Sequence, residues 1–168
     1  MKVCISELLK TVKKIEERIV QLKQLRFENA TYSYTKGEEP IIPEISPEDV
    51  TAQISELQNK VVFLRNKIAY LNSTVEVPEF NTTLGGCIIM LGQCKSELQD
   101  YNVLANKQPL SRQTTYNGEV EYTKVNYNID YFKQLYDKTN DKISKLQMTI
   151  DRYNLNTMVD VDDVYLQY

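Results

Sequence analysis

The chain has 168 residues and a formal net charge of −3 at pH 7, and it contains neither histidine nor tryptophan. A chain of this length ordinarily forms one domain, and its small negative charge gives no overall electrostatic reason to bind nucleic acid. Because histidine is the commonest general base and the commonest neutral metal ligand, its absence disfavours catalysis and metal binding. The few glycines and prolines, five of each, favour helices.

Two stretches in the first half of the chain place apolar residues at alternating steps of three and four, which predicts amphipathic helices. The first helix is expected over about residues 3–28 and the second over about residues 47–72. Ser46 and Pro47 mark the second start, because serine caps helices and proline suits the first helical position. We expect the two helices to form an antiparallel hairpin. The seams are Ile5, Leu8, Val12, Ile15, Ile19 and Leu22, and then Val50, Ile54, Leu57, Val61, Leu64, Ile68 and Leu71.

The connection over residues 29–46 lacks helical periodicity and contains two prolines. Tyr32 and Tyr34 alternate in it with small polar residues. Long loops in compact domains are often functional or loosely ordered. A mobile connector is the favoured interpretation, and Tyr32 and Tyr34 are candidate interaction residues if the loop has a function.

A third helix is expected over about residues 83–106, after a segment at 75–82 that alternates, contains a proline, and predicts an edge strand or a loop. Cys87 and Cys94 lie one heptad apart on its seam and are interpreted as core residues, because cysteine is among the most buried residue types. A metal or redox site is the alternative. Glycines in this helix would allow a close helix crossing or leave room for a ligand.

The pattern changes between residues 113 and 125, where strand-forming residues flank Asn117-Gly118. Asn-Gly between such runs predicts a β-hairpin. Because a two-stranded hairpin is marginally stable alone, it should pack on the helices or pair with another chain. Tyr116, Asn117, Gly118 and Tyr122 are therefore candidate interaction residues.

The most regular seam predicts a fourth helix over about residues 127–155. Over residues 129–153 it is about 37 Å long. An isolated helix is marginal in water, so this seam needs a partner. The acidic tail at 159–168 is expected to fray and to be solvated rather than to bind a cation. The seam consists of Ile129, Phe132, Tyr136, Thr139, Ile143, Leu146, Ile150 and Tyr153.

Together these elements predict an all-α fold, with four long helices in antiparallel coiled-coil or bundle packing and a small hairpin between helices three and four. One domain is expected over residues 1–158. The chain has no run of about twenty apolar residues and no apolar core near its start, so we expect a cytoplasmic protein. The heptad seams can close within one chain or between chains, and the pattern alone does not decide between these arrangements.

Short segments at the element boundaries carry a family resemblance. They are Met1-Lys2, Asn29-Ala30 with Gly37-Glu38-Glu39-Pro40, Leu71-Asn72-Ser73-Thr74, Thr83-Leu84, and Ile150 to Thr157. These segments are similar to the septicolysin-like family of uncharacterised bacterial coiled-coil proteins. The chain departs from the family at Leu155, where tryptophan is usual, and over residues 91–94, where a charged segment is usual. The resemblance implies a helical coiled-coil fold that self-associates, and it implies no established activity, catalytic residue or cofactor.

The sequence therefore predicts a non-enzymatic structural or interaction protein that contacts other copies or an unidentified protein partner. No catalytic residue, cofactor or metal is expected. A membrane-active, pore-forming protein is the alternative, because the family name suggests a cytolysin and amphipathic helices permit membrane contact. The charged outer faces of the helices disfavour this alternative. Nucleic-acid binding by the basic outer face of the first helix is the least favoured function.

Overall fold

The computed structural model describes residues 1–167, which contain four α-helices and three two-stranded antiparallel sheets. The described chain is mostly helical, as the sequence predicts, and the helix bounds lie within two residues of those expected. The helices are α1 (Ile5–Glu28), α2 (Pro47–Thr74), α3 (Leu84–Ala105) and α4 (Ile129–Asn156). The strands are β1 (Lys2–Cys4), β2 (Glu76–Val77), β3 (Thr82–Thr83), β4 (Leu110–Thr114), β5 (Val120–Lys124) and β6 (Met158–Asp160).

The contacts divide the chain into two compact units, the first comprising Met1–Val75 and the chain from Arg152 onward, and the second comprising Glu76–Asp151. The periodicity of the sequence predicts one domain over residues 1–158 and contains no sign of this division. None of the helices in residues 1–167 has the length and apolar character needed to cross a membrane.

Helices α1 and α2 are adjacent and antiparallel in the first unit. The guanidinium of Arg65 pairs with the carboxylate of Glu16, whereas Arg26 Nη1, near the other end of α1, donates to Thr51 Oγ1 at 3.1 Å. The contact later in α1 is made with a residue earlier in α2, so the two helices run in opposite directions. Every residue of the predicted α1 seam is buried, and so is every residue of the α2 seam except the half-buried Val61.

The ends of α1 and α2 follow local capping chemistry. The Cys4 backbone N–H donates to Glu7 Oε2 at 2.8 Å, and the Asp49 backbone N–H donates to Ser46 Oγ at 3.3 Å. Each bond satisfies a backbone donor that has no partner at a helix start. The start signal at Ser46-Pro47 is confirmed, because α2 begins at Pro47.

The end of the chain packs in the first unit instead of fraying. Strand β6 pairs in antiparallel with β1, placing Val3 opposite Val159, and Val161 donates its N–H to the Met1 carbonyl at 3.0 Å. Val161 is buried, and the Tyr165 ring stacks on Phe63 with 3.8 Å between ring centroids. The expectation of a frayed tail is therefore wrong for residues 159–167, because the valines among the acidic residues supply apolar contacts. Tyr168 lies outside the described residues.

In the second unit, β2 and β3 form a tight turn that leads into α3. Val77 lies opposite Thr82, and a 3₁₀ turn at Pro78–Phe80 is followed by Asn81 with a φ of +50°. Asparagine is one of the few residues other than glycine that tolerates this left-handed conformation. The next threonine, Thr83, caps α3 by accepting the Gly86 N–H at 3.2 Å.

The end of α3 and the start of α4 are linked by an aromatic cluster. The centroid of the Phe132 ring lies 6.1 Å from the Tyr101 centroid in a tilted arrangement and 5.1 Å from the Tyr127 centroid in an edge-to-face arrangement. Aromatic pairs prefer such geometries. The Tyr127 hydroxyl donates to the Leu104 carbonyl at 2.9 Å. Along α4, Leu146 and Ile150 are buried and the other seam residues are half-buried.

Candidate interaction surface

The β4–β5 hairpin carries its large apolar side chains on one of its two faces. Arg112 lies opposite Tyr122 in the register, and residues directly opposite each other share a face. The apolar face, as we call it here, comprises Leu110, Arg112, Thr114, Val120, Tyr122 and Lys124. The other face comprises Ser111, Gln113, Glu121 and Thr123. The three large apolar side chains of the hairpin strands thus lie on one side.

This apolar face is open to solvent. Leu110 is 55% exposed, Val120 41% and Tyr122 62%. Removing apolar surface from water contributes about 25 cal/mol per Å², so an amphipathic hairpin gains free energy when its apolar face is covered. In residues 1–167, β4 and β5 pair with each other and with no other strand.

The hairpin turn is a three-residue loop of Tyr116, Asn117 and Gly118. The Gly118 N–H donates to the Thr115 carbonyl at 2.9 Å, and the Thr115 N–H donates to the Glu119 carbonyl at 2.8 Å. Gly118 has a φ of +79°, so the loop is a type I turn followed by a left-handed residue. Tyr116 occupies the tip and is fully exposed.

The backbone bonds at the hairpin ends define which edge groups are free. Thr115 bonds to Glu119, and the Val125 N–H donates to the Pro109 carbonyl at 3.1 Å. Hydrogen-bonded pairs recur at every second residue in an antiparallel ladder, so the backbone N–H and C=O groups of Glu121 and Thr123 point toward β4. The N–H and C=O groups of the alternate residues of β5 therefore point outward, along an edge that has no partner strand among the described residues. These alternate residues are Val120, Tyr122 and Lys124.

The other two sequence candidates belong to the first compact unit. Tyr32 and Tyr34 are exposed, with their ring centroids 6.3 Å apart in a tilted arrangement. The structure thus brings Tyr116, Asn117, Gly118 and Tyr122 together on one hairpin, and Tyr32 and Tyr34 together on one segment. Their role as interaction residues stays a prediction.

Sequence reasoning missed several exposed apolar residues near these candidates. Leu110 lies before the hairpin that the sequence predicts from residue 113, and the polar residues Ser111 to Thr114 that follow it give no alternating apolar signal that would include it. Ile41 and Ile42 in the 29–46 connection are also exposed. Exposure of this kind depends on what the rest of the chain covers, which local patterns do not encode.

The cysteines are buried free thiols, and the prediction that Cys87 and Cys94 are core residues is confirmed. Burial raises the pKa of the Cys87 thiol above its usual value, and the negative charge of Glu79 raises it further. A raised pKa keeps the thiol protonated, and the protonated form is a poor nucleophile and metal ligand. Residues 1–167 contain no cluster of three or more cysteine and carboxylate side chains placed to hold a metal.

Comparison with known proteins bears on the fold of this chain and not on its function. No family model and no curated protein matches this chain. The crystal structure of a functionally unknown conserved protein from Corynebacterium diphtheriae is similar to it, with a TM-score of 0.69 and 20% sequence identity. The similarity covers 95% of this chain and 100% of that chain. The two proteins thus share a fold over nearly their whole lengths.

Proposed function

We propose that this chain is a non-enzymatic interaction protein that self-associates through its hairpin, with the helices as the scaffold. The single observation that carries the proposal is the solvent-exposed apolar face of the β4–β5 hairpin. Leu110, Val120 and Tyr122 supply most of its apolar surface, and the basic Arg112 and Lys124 lie beside them. A surface of this kind is typical of protein contacts, where aromatic residues and arginine are enriched.

The stability of the hairpin supports a partner for it. A two-stranded hairpin is marginal in water unless it gains strands or packs on a helix. All five residues of β5 are exposed, as are four of the five in β4. Contact with another molecule would supply the missing burial.

The seams support the finer description of the scaffold as antiparallel coiled-coil packing. The apolar steps of three and four coincide with buried positions on α1 and α2. On α4, seam residues such as Tyr136 and Ile143 are only half-buried, so apolar area remains for further packing. The resemblance to septicolysin-like coiled-coil proteins also implies self-association. The unpaired thiols favour a reducing compartment such as the cytoplasm.

Light scattering coupled to size-exclusion chromatography tests self-association. We expect one closed oligomer whose mass is a multiple of the 19.6 kDa chain mass. A mass of 19.6 kDa over the whole accessible concentration range would overturn the proposal. The measurement should be repeated in a thiol reductant, because an oligomer that disappears there would be an artefact of cysteine oxidation.

Dye release from liposomes separates this proposal from the membrane-active alternative. We expect no leakage from neutral or anionic vesicles across a range of pH, because the proposed contacts are between protein surfaces. Leakage that increases with protein concentration would replace the interaction proposal by membrane activity. A heat-denatured sample serves as the control for nonspecific disruption.

A further inference from the structure

The outer edge of β5 is an open strand edge. An unpaired edge presents a row of backbone donors and acceptors that another strand can use. On β5 this row belongs to Val120, Tyr122 and Lys124, as the hydrogen-bonded pairs at the two ends of the hairpin define. The edge carries no proline and no glycine, so the backbone of each of its residues can take part in a strand ladder.

We infer that this edge pairs in antiparallel with β5 of a second copy, with Tyr122 opposite the second copy's Tyr122. The inference rests on the proposed self-association and specifies the contact. In this register Val120 lies opposite the second copy's Lys124, so every outward backbone group of β5 meets an outward group of the other strand. Two-fold symmetry closes the contact into a dimer.

Charge and length select this register. A shifted register with the two-fold axis at Glu121 would place the two Glu121 carboxylates directly opposite each other, and like charges in that position are destabilising. An axis through Thr123 would place Val120 opposite position 126, which lies beyond the end of β5. With the two-fold axis at Tyr122, Glu121 lies opposite the second copy's Thr123, and no two like charges lie directly opposite each other between the two β5 strands.

Charge also selects β5 over β4. The equivalent pairing of two β4 strands would centre on Arg112 and oppose two guanidinium groups. On β5 the central pair is aromatic, and Lys124 lies diagonal to the second copy's Tyr122, within reach of a cation–π contact. Pairing β4 with β5 of another copy would be head-to-tail, which gives a ring or an open filament instead of a two-fold dimer.

The resulting sheet has the strand order β4-β5-β5-β4. Three or more strands with an apolar face reach the stability that a lone hairpin lacks. Both apolar faces lie on the same side, so Leu110, Val120 and Tyr122 of the two copies form one continuous surface. Dimer formation therefore adds backbone hydrogen bonds and cross-strand side-chain contacts to the hairpin, while the joined apolar faces remain open.

Two matched proline variants test the edge. Tyr122→Pro and Arg112→Pro each remove one outward-facing N–H from the hairpin, and neither removes a β4–β5 hydrogen bond. We expect Tyr122→Pro to raise the dimer dissociation constant by about tenfold or more, because the symmetric contact loses two hydrogen bonds. Arg112→Pro leaves every outward-facing donor of β5 in place, so it should raise the constant less than Tyr122→Pro does. Light scattering over a dilution series measures both.

Cysteine cross-linking tests the register. Glu121→Cys combined with Thr123→Cys places each thiol opposite its counterpart in the second copy, at a non-hydrogen-bonded pair where the Cα atoms are about 4.5 Å apart. A mild oxidant should then give a covalent dimer on a non-reducing gel. The matched control is Ser111→Cys combined with Gln113→Cys on β4, which should remain monomeric on the gel. The chain without added cysteines reports the contribution of the native thiols, which are buried.

The outcomes separate this contact from self-association in general. If the wild-type chain is a monomer at every concentration, both self-association and the β5 contact are overturned. A wild-type oligomer that Tyr122→Pro does not weaken overturns the β5 contact alone. If both proline variants weaken the oligomer, the cross-link decides: a covalent dimer from the β5 pair supports the contact, and its absence, or a dimer from the β4 pair, overturns it.

Discussion

At the scale of single residues, neighbouring leucines in α1 have opposite environments. Leu8 is 0% exposed and Leu9 is 45% exposed. We expect Leu8→Ala to lower the free energy of unfolding by about 2–5 kcal/mol, because it leaves a cavity in the seam. Leu9→Ala should cost less than about 1 kcal/mol. Urea denaturation followed by circular dichroism measures the two values, and equal losses would contradict the assignment of the seam.

Cys87 should make stability depend on pH in the alkaline range. Burial raises the pKa of its thiol, with a further contribution from Glu79. As the pH rises through the ordinary cysteine value of about 8.5, the unfolded chain therefore loses this proton before the folded chain does. The free energy of unfolding should then fall with increasing pH. Cys87→Ala should make this fall shallower, whereas Cys94→Ala, which removes a buried thiol from the same seam, should leave the Cys87 contribution in place.

At the scale of elements, two glycines of α3 should respond oppositely to the same substitution. A Cβ on Gly86 would lie 2.0 Å from Thr82 Oγ1, whereas a Cβ on Gly92 would meet nothing within 4 Å. Gly86→Ala should destabilise by about 1–3 kcal/mol, because the threonine must move. Gly92→Ala should stabilise by about 0.5–1 kcal/mol, because alanine favours the helix. Thermal denaturation of both variants measures this difference, and a gain from Gly86→Ala would show that the close approach carries no constraint.

At the scale of the whole molecule, the two ends of the described chain meet in one unit. Val161 is 4% exposed and Val164 is 63% exposed, although both are valines in the same acidic segment. Val161→Asp should lower the free energy of unfolding by about 3 kcal/mol or more, because it buries an unpaired charge beside the β1–β6 pair. Val164→Asp should have little effect. Guanidinium denaturation distinguishes them, and two equally stable variants would restore the expectation of a frayed tail.

Local patterns were sufficient for the helices but insufficient for the candidate surface. Steps of three and four located all four helices, because residues at this spacing lie on one face of a helix and that face is the one that packs. The same local chemistry pointed to Asn117-Gly118 as the centre of a turn and to Tyr116 and Tyr122 as its neighbours. It missed Leu110, and it contained no information on which backbone groups of β5 face outward, because that depends on the register of two strands.

The sequence by itself determined the helical class of this protein, the places where its helices begin and end, and the glycine that its hairpin turn requires. Only the tertiary structure decided that β6 returns to β1, that Val161 is buried while Val164 is not, and that the edge of β5 is open. The physical reason is the separation along the chain of the residues that interact. Helix and turn preferences act between near neighbours, whereas strand pairing and burial depend on residues far apart in the chain.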